Sequence, residues 1–217
     1  MSKEQTPHIA VDPQDLRTVR DWVRFFVSEM RRGQVFFGHG SSNAFDEAIY
    51  LVQSALSLPI GDLGPFWDAR VTAHETTRLV RFITQRVVDR KPASYITGEA
   101  WLQGQSFKVD ERVIIPRSFI AELLADQLTP WVNAPEMPFD ILDMCTGSGC
   151  LAILAAHVFE NAEVDAVDLS TDALGVAREN IALHDLKHRV HAIESDLFSH
   201  LHGKQYDFIL TNPPYVN

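Results

Sequence analysis

The chain has 217 residues, 46% of them hydrophobic and 22% charged, which is enough apolar material for one large domain or for a small one beside a medium one. Nineteen basic residues against 29 acidic ones give a net charge of −10. That balance argues against broad, sequence-independent binding of bare nucleic acid, which relies on neutralising phosphates. The first residues, MSKEQTPHIAVDPQDL, contain no apolar signal core. No apolar stretch approaches the ~20 residues of a membrane span. Cys145 and Cys150 sit in one glycine-rich turn, where a disulfide would distort the backbone, so both read as free thiols of a reducing compartment. A soluble, cytoplasmic protein is expected, with no membrane or DNA partner.

Asp12-Pro13 opens the first predicted helix, with Asp as cap and Pro in the first turn. Leu16, Val19, Val23, Phe26, Val27 and Met30 recur at helical spacing, and Gly33 ends the run. A glycine-rich loop, Gly38-His39-Gly40, follows; His39 reads as loop-shaping, because no metal partners are spaced near it. A second helix starts at Asn43, with Phe45, Ala48, Ile49, Val52 and Leu56 on its apolar face. Pro65-Phe66-Trp67 marks a short turn, and Thr72-Ala73-His74-Glu75 is a capping box for a third helix. That helix is basic through Arg78, Arg81, Arg86, Arg90 and Lys91. It reads as a solvated face, or as a docking face for a partner. Residues 1–92 are therefore expected to form a small N-terminal helical domain, and 93–117 a β-hairpin connector.

Ser118 to about Trp131 reads as another helix. From Phe139 the rhythm is strand, loop, helix, strand. Strands are expected at 139–144, 163–168, 190–194 and 206–211, with helices at 150–158 and 171–184. That alternation predicts an α/β, doubly wound, Rossmann-like parallel sheet over 118–217. His184, His188 and His191 have metal-like spacing but no thiol or carboxylate to complete a set, and read as surface residues.

The first strand of this region runs into Cys145-Thr146-Gly147-Ser148-Gly149 and a helix. Glycines there let backbone N–H groups approach a ligand. Asp168, at the end of the next strand, can accept from ribose hydroxyls. Gly147-x-Gly149-x-x-Ala152 also fits a dinucleotide pattern. Asp143, just before the glycines, would repel a pyrophosphate but could serve an ammonium directly or through a water. Asp196 can accept from an adenine amine while Leu197 covers the ring. Together these favour S-adenosylmethionine. The last six residues are Asn212-Pro213-Pro214-Tyr215-Val216-Asn217, in which Asn212 to Tyr215 form a rigid polar clamp after an apolar strand. Such a clamp suits a planar nitrogen nucleophile, either a carboxamide or the exocyclic amine of an adenine.

Ile141 to Gly149, Asp165 to Ser170, Ser195 to Phe198 and Asn212 to Tyr215, with Ile115-Pro116-Arg117, resemble the protein-glutamine methyltransferases. Asp143-Met144-Cys145-Thr146, in place of Asp-Leu-Gly-Thr, is similar to the branch that acts on a large-subunit ribosomal protein rather than on release factors. So are Phe37-Gly38-His39-Gly40 and Phe45-Asp46-Glu47-Ala48. The resemblance implies a class I methyltransferase fold and methylation of a glutamine side-chain amide. It implies that Asp143, Cys145, Thr146, Gly147, Ser148, Gly149, Asp168, Asp196, Leu197 and Asn212 hold the cofactor. Asn212 and the Pro213 carbonyl would accept the amide hydrogens, with Pro214 stiffening the loop and Tyr215 stacking on the amide. The family's sheet has about seven strands. Four are expected here, in an order 3-2-1-4 that leaves the last strand an edge and raises the expectation of a chain cut at this loop.

Overall fold

The computed structural model describes residues 9, 12, 15–38 and 40–213. The chain divides into two compact units, residues 1–97 and 98–217.

The first unit is helical. α1 (Val19–Arg32) begins at Thr18, not at Asp12-Pro13: Thr18 and Asp21 form a reciprocal capping box, and Gly33 closes the helix. The start is fixed by tertiary contact, since the Val19 and Arg20 N–H groups donate to the Ala69 and Trp67 carbonyls. α2 (Ala44–Leu56) starts at the expected Asn43 cap. Its buried stripe, Ala44, Glu47, Ala48 and Leu51, is rotated from the expected one, leaving Phe45 51% exposed. A short 3-10 turn, Gly64–Phe66, precedes α3 (Ala73–Val87), which is capped by Thr72 and Glu75 as expected. Trp22, Phe26, Met30, Leu51, Leu79 and Ile83 fill the core.

Arg86 is not part of a basic face. It is buried and donates to Glu47 at 2.5 Å from Nε and to the Phe36 carbonyl at 2.8 Å. Residues 93–97, expected to be extended, form a short helix α4 (Ala93–Thr97), started by Tyr95 and Ile96 N–H groups donating to the Pro92 carbonyl.

The second unit holds the hairpin and the sheet. β1 (Glu99–Leu102) and β2 (Gln105–Lys108) pair antiparallel. Their turn, Gln103 (φ 49°) and Gly104 (φ 75°), has two left-handed residues, as a tight hairpin requires. Strand structure ends at Lys108, so the hairpin is shorter than the connector expected over 93–117. α5 (Ile120–Ala125) is likewise shorter than the predicted helix to Trp131, because Gln127 and Leu128 both turn left-handed (φ 53° and 54°).

Then come β3 (Asp140–Met144), α6 (Cys150–Val158), β4 (Glu163–Asp168), α7 (Thr171–Leu183), β5 (Val190–Glu194) and β6 (Phe208–Thr211). The four strands are parallel in the order β5-β4-β3-β6, the expected 3-2-1-4 arrangement. The central strands β3 and β4 are buried along almost their whole length, as a sheet covered on both faces demands, whereas the edge strands β5 and β6 are mostly half-buried or exposed. Ile141, Val164 and Ala166 are buried with Ile153, Ala155 and Phe159 of the α6 region. Beside β6 lies an apolar groove of about 730 Å³ that includes Trp131, Phe139, Phe208 and Ile209. Among the described residues no helix is long and apolar enough to cross a membrane.

Candidate active site

The carboxyl ends of β3, β4, β5 and β6 converge on one cavity of about 360 Å³. In a parallel α/β sheet this is where ligands sit, because the strand-to-helix turns open there. The segment Arg112–Ser118 forms one wall. Met144 to Ser148 form the floor, with Asp168 and Leu169 after β4, Ser195 to Leu197 after β5, and Asn212 after β6.

The β3–α6 turn is shaped by backbone conformation. Gly147 is left-handed (φ 54°), and a Cβ there would meet nothing within 4 Å, so its missing side chain leaves a cradle. Gly149 is left-handed too (φ 79°), and its notional Cβ would lie 3.2 Å from Ala177 Cβ on α7, which lets that helix pack close. Cys145 also adopts a left-handed φ of 61°, a strained choice for a residue with a side chain. Burial pushes the Cys145 thiol above its ordinary value and the Cys150 thiol up to about 12, so neither is a thiolate at neutral pH.

Asp143 and Gly149 do not line the cavity. Asp143 is 1% exposed and lies beneath the turn. Its Oδ2 accepts from Thr146 Oγ1 at 2.5 Å and from the Ala152 N–H of α6 at 3.1 Å. Its Oδ1 is buried and has no partner among the described residues. Burial pushes this carboxyl up to about 7; the two hydrogen bonds work against that rise and the charge of Asp168 adds to it. A buried acceptor left over beside a ligand-sized cavity fits a cationic group such as an ammonium, reached through a bridging water.

Asp168 is half-buried. Its Oδ2 accepts from the Gly147 N–H and its Oδ1 from the Ser170 N–H, both at 2.9 Å. Each oxygen keeps a further lone pair, enough to accept a ribose hydroxyl. Ser195 is buried and holds the next turn through Oγ: it donates to the Leu197 carbonyl at 2.7 Å and accepts from the His200 N–H. Leu197 is thereby held left-handed (φ 48°) and 57% exposed, an apolar plate on the cavity rim, with Asp196 beside it. Asn212 is half-buried, and its Nδ2 lies 3.5 Å from the Arg117 carbonyl. The sequence expectations for Pro214 and Tyr215 lie outside the described residues.

Sequence reading missed Asn180. This side chain on α7 is fully buried. Its Oδ1 accepts from the Lys108 N–H at 2.7 Å, and its Nδ2 donates to the Lys108 carbonyl at 3.0 Å and the Ser148 carbonyl at 2.8 Å. One amide thus ties β2, α7 and the glycine turn. An Asn on the apolar side of a helix was the available signal. His184 is bonded to His157 and to the Ser106 carbonyl, and His191 to Glu163. No group of metal-ligating side chains occurs among the described residues.

Residues 121–217 match the family described as the methyltransferase small domain. The chain is 54% identical over 204 residues to the ribosomal protein uL3 glutamine methyltransferase of Bordetella pertussis, covering 94% of this chain and 68% of that one. It is 50% identical to the protein of the same name from Burkholderia pseudomallei, covering 96% of this chain and 70% of that one. For the Neisseria gonorrhoeae protein the identity is 49%, over 94% of this chain and 68% of the relative. With identity at this level spanning both units, the chain belongs to the family of ribosomal protein uL3 glutamine methyltransferases.

Proposed function

We propose that the chain methylates the side-chain amide nitrogen of a glutamine in ribosomal protein uL3, with S-adenosylmethionine as methyl donor. The observation that carries the reading is the meeting, in one cavity, of a glycine cradle, the acidic ends of β4 and β5, and Asn212 after β6. The residues present fit the donor: Gly147 leaves room for it and the spare oxygen of Asp143 matches its amine. When bound, S-adenosylmethionine supplies a methyl group activated on a sulfonium.

The chain's own residues would then bind and orient. Thr146, Gly147 and Ser148 support the amino-acid end, with Asp143 supplying negative charge from below. Asp168 takes the ribose hydroxyls, Asp196 the adenine amine, and Leu197 covers the ring. The nucleophile is a carboxamide nitrogen whose lone pair is delocalised, so orientation matters most and can supply several kcal/mol. Asn212 Oδ1 and the Pro213 carbonyl accept the two amide hydrogens. They hold negative potential at the nitrogen as positive charge grows there. Tyr215 stacks on the amide and excludes water, and the proton leaves after transfer. Ribosomal RNA contact falls to the exposed Arg81 and Arg90, since Arg86 is buried and committed to Glu47.

Incubation with tritiated cofactor and either uL3, a release factor or DNA tests the reading. Label on a uL3 glutamine, located by mass spectrometry, is expected. Label confined to the release factor or to nucleic acid would overturn the substrate assignment.

A further inference from the structure

S-adenosylmethionine carries an α-carboxylate, which needs a donor or a positive charge in the cavity. Asp168 and Asp196, which line the cavity, match hydroxyls and an amine, not an anion. The N-terminus of α6 could serve an anion, but its Ala152 N–H is already taken by Asp143 Oδ2. Two arginines line the cavity, Arg112 and Arg117.

They differ sharply. Arg112 is gripped by Asp110: its Nε lies 2.8 Å and 3.1 Å from the two carboxylate oxygens and its Nη2 2.6 Å from Oδ2, with Glu179 a further 3.6 Å away. Its charge is spent. The Arg117 guanidinium makes no hydrogen bond or ion pair among the described residues, and the residue is exposed. Its own carbonyl lies 3.5 Å from Asn212 Nδ2, which puts Arg117 at the methyl-transfer end of the cavity. The amino-acid part of the donor, which carries the sulfonium, must lie at that end.

We propose that the Arg117 guanidinium binds the α-carboxylate of the cofactor's amino-acid moiety. Guanidinium and carboxylate pair through two parallel, charge-assisted hydrogen bonds, the geometry arginine offers and lysine does not. Arg117 is then the group that distinguishes ligands with a carboxylate from those without. The assignment rests on the S-adenosylmethionine reading above.

Calorimetric titration of the full chain with S-adenosylhomocysteine and with its decarboxylated analogue, S-adenosyl-3-thiopropylamine, tests it without turnover. The wild-type chain is expected to prefer S-adenosylhomocysteine. Arg117→Ala should weaken that ligand about 10- to 100-fold and leave the decarboxylated one unchanged, abolishing the preference. Arg117→Lys should keep part of the preference, which also guards against a misfolded alanine variant. Arg112→Ala should leave the preference in place. The assignment is overturned if the wild type does not discriminate, or if Arg117→Ala discriminates as the wild type does or weakens both ligands alike. A wild-type chain that binds neither ligand sinks the cofactor reading itself, whereas normal binding with unaltered discrimination in Arg117→Ala sinks this assignment alone.

Discussion

Glu47 in the helical unit and Asp143 in the α/β unit are about equally inaccessible, at 2% and 1% exposed, yet they are treated in opposite ways. Glu47 faces the Arg86 guanidinium, and the same arginine reaches back to the Phe36 carbonyl, so the charge is closed within the unit. Asp143 faces only a hydroxyl and an N–H, and one oxygen has no partner among the described residues. Asp165, buried on β4, falls on the closed side of the comparison, with Lys204 and Tyr206 on its Oδ2. Closed pairs of this kind fix structure. An open carboxylate under a cavity is tolerated only where something else completes it.

The comparison breaks first at Glu47. Glu47→Ala leaves Arg86 buried without its counter-charge and should destabilise the helical unit by about 3–5 kcal/mol, read from urea unfolding by circular dichroism. Replacing both with apolar residues of similar volume should recover most of that loss. A loss under about 1 kcal/mol for the single variant would mean that the pair does not close the core. Next in size is the clamp. Asn212→Ala should lower kcat about 10²- to 10³-fold with little change in cofactor affinity. Asp168→Ala should do the reverse, raising the cofactor Kd about tenfold or more through lost hydroxyl contacts. Equal effects of the two on cofactor binding would contradict the roles assigned. Asn180→Ala, which strands the Lys108 and Ser148 backbone groups, should cost about 2–3 kcal/mol in stability and also loosen cofactor binding, because the glycine turn hangs from that amide.

The α/β rhythm was legible in the sequence because each level of signal agreed. Segments of strand length alternate with helical ones, and Gly147 and Gly149 mark the first turn. The start of α1 was not, because Asp12-Pro13 and Thr18-x-x-Asp21 are both valid caps and only the Ala69 and Trp67 carbonyls decide between them. The Glu47–Arg86 pair spans 39 residues of chain and leaves no local trace, so Arg86 was read with the surface arginines. In the site, Cys145 to Ser148, Asp168, Asp196, Leu197 and Asn212, singled out from residue types at strand ends, all line the cavity. The depth of Asp143 was invisible, since spacing along the chain does not tell whether a residue lines a cavity or lies under it.

That depth gives the last prediction. Burial holds the Asp143 carboxyl at about 7, above its unfolded value, so between roughly pH 4 and 7 the folded chain keeps a proton that the unfolded chain has lost. Its contribution to stability is therefore full at low pH and fades as pH rises through 7. Asp143→Asn, which cannot ionise, should melt close to the wild type at pH 5 and above it at pH 8. A cationic ligand in the adjoining cavity reverses the preference, because positive charge favours the ionised carboxylate. Binding of S-adenosylmethionine near pH 6 should release close to one proton, and its affinity should climb by up to tenfold per pH unit before levelling off above 7. Calorimetry in two buffers of different ionisation enthalpy reads the released proton directly. No release in the wild type, or the same release in Asp143→Asn, would show that the open carboxylate is as closed to the ligand as Glu47 is, and the contrast between the two units would lose its functional meaning.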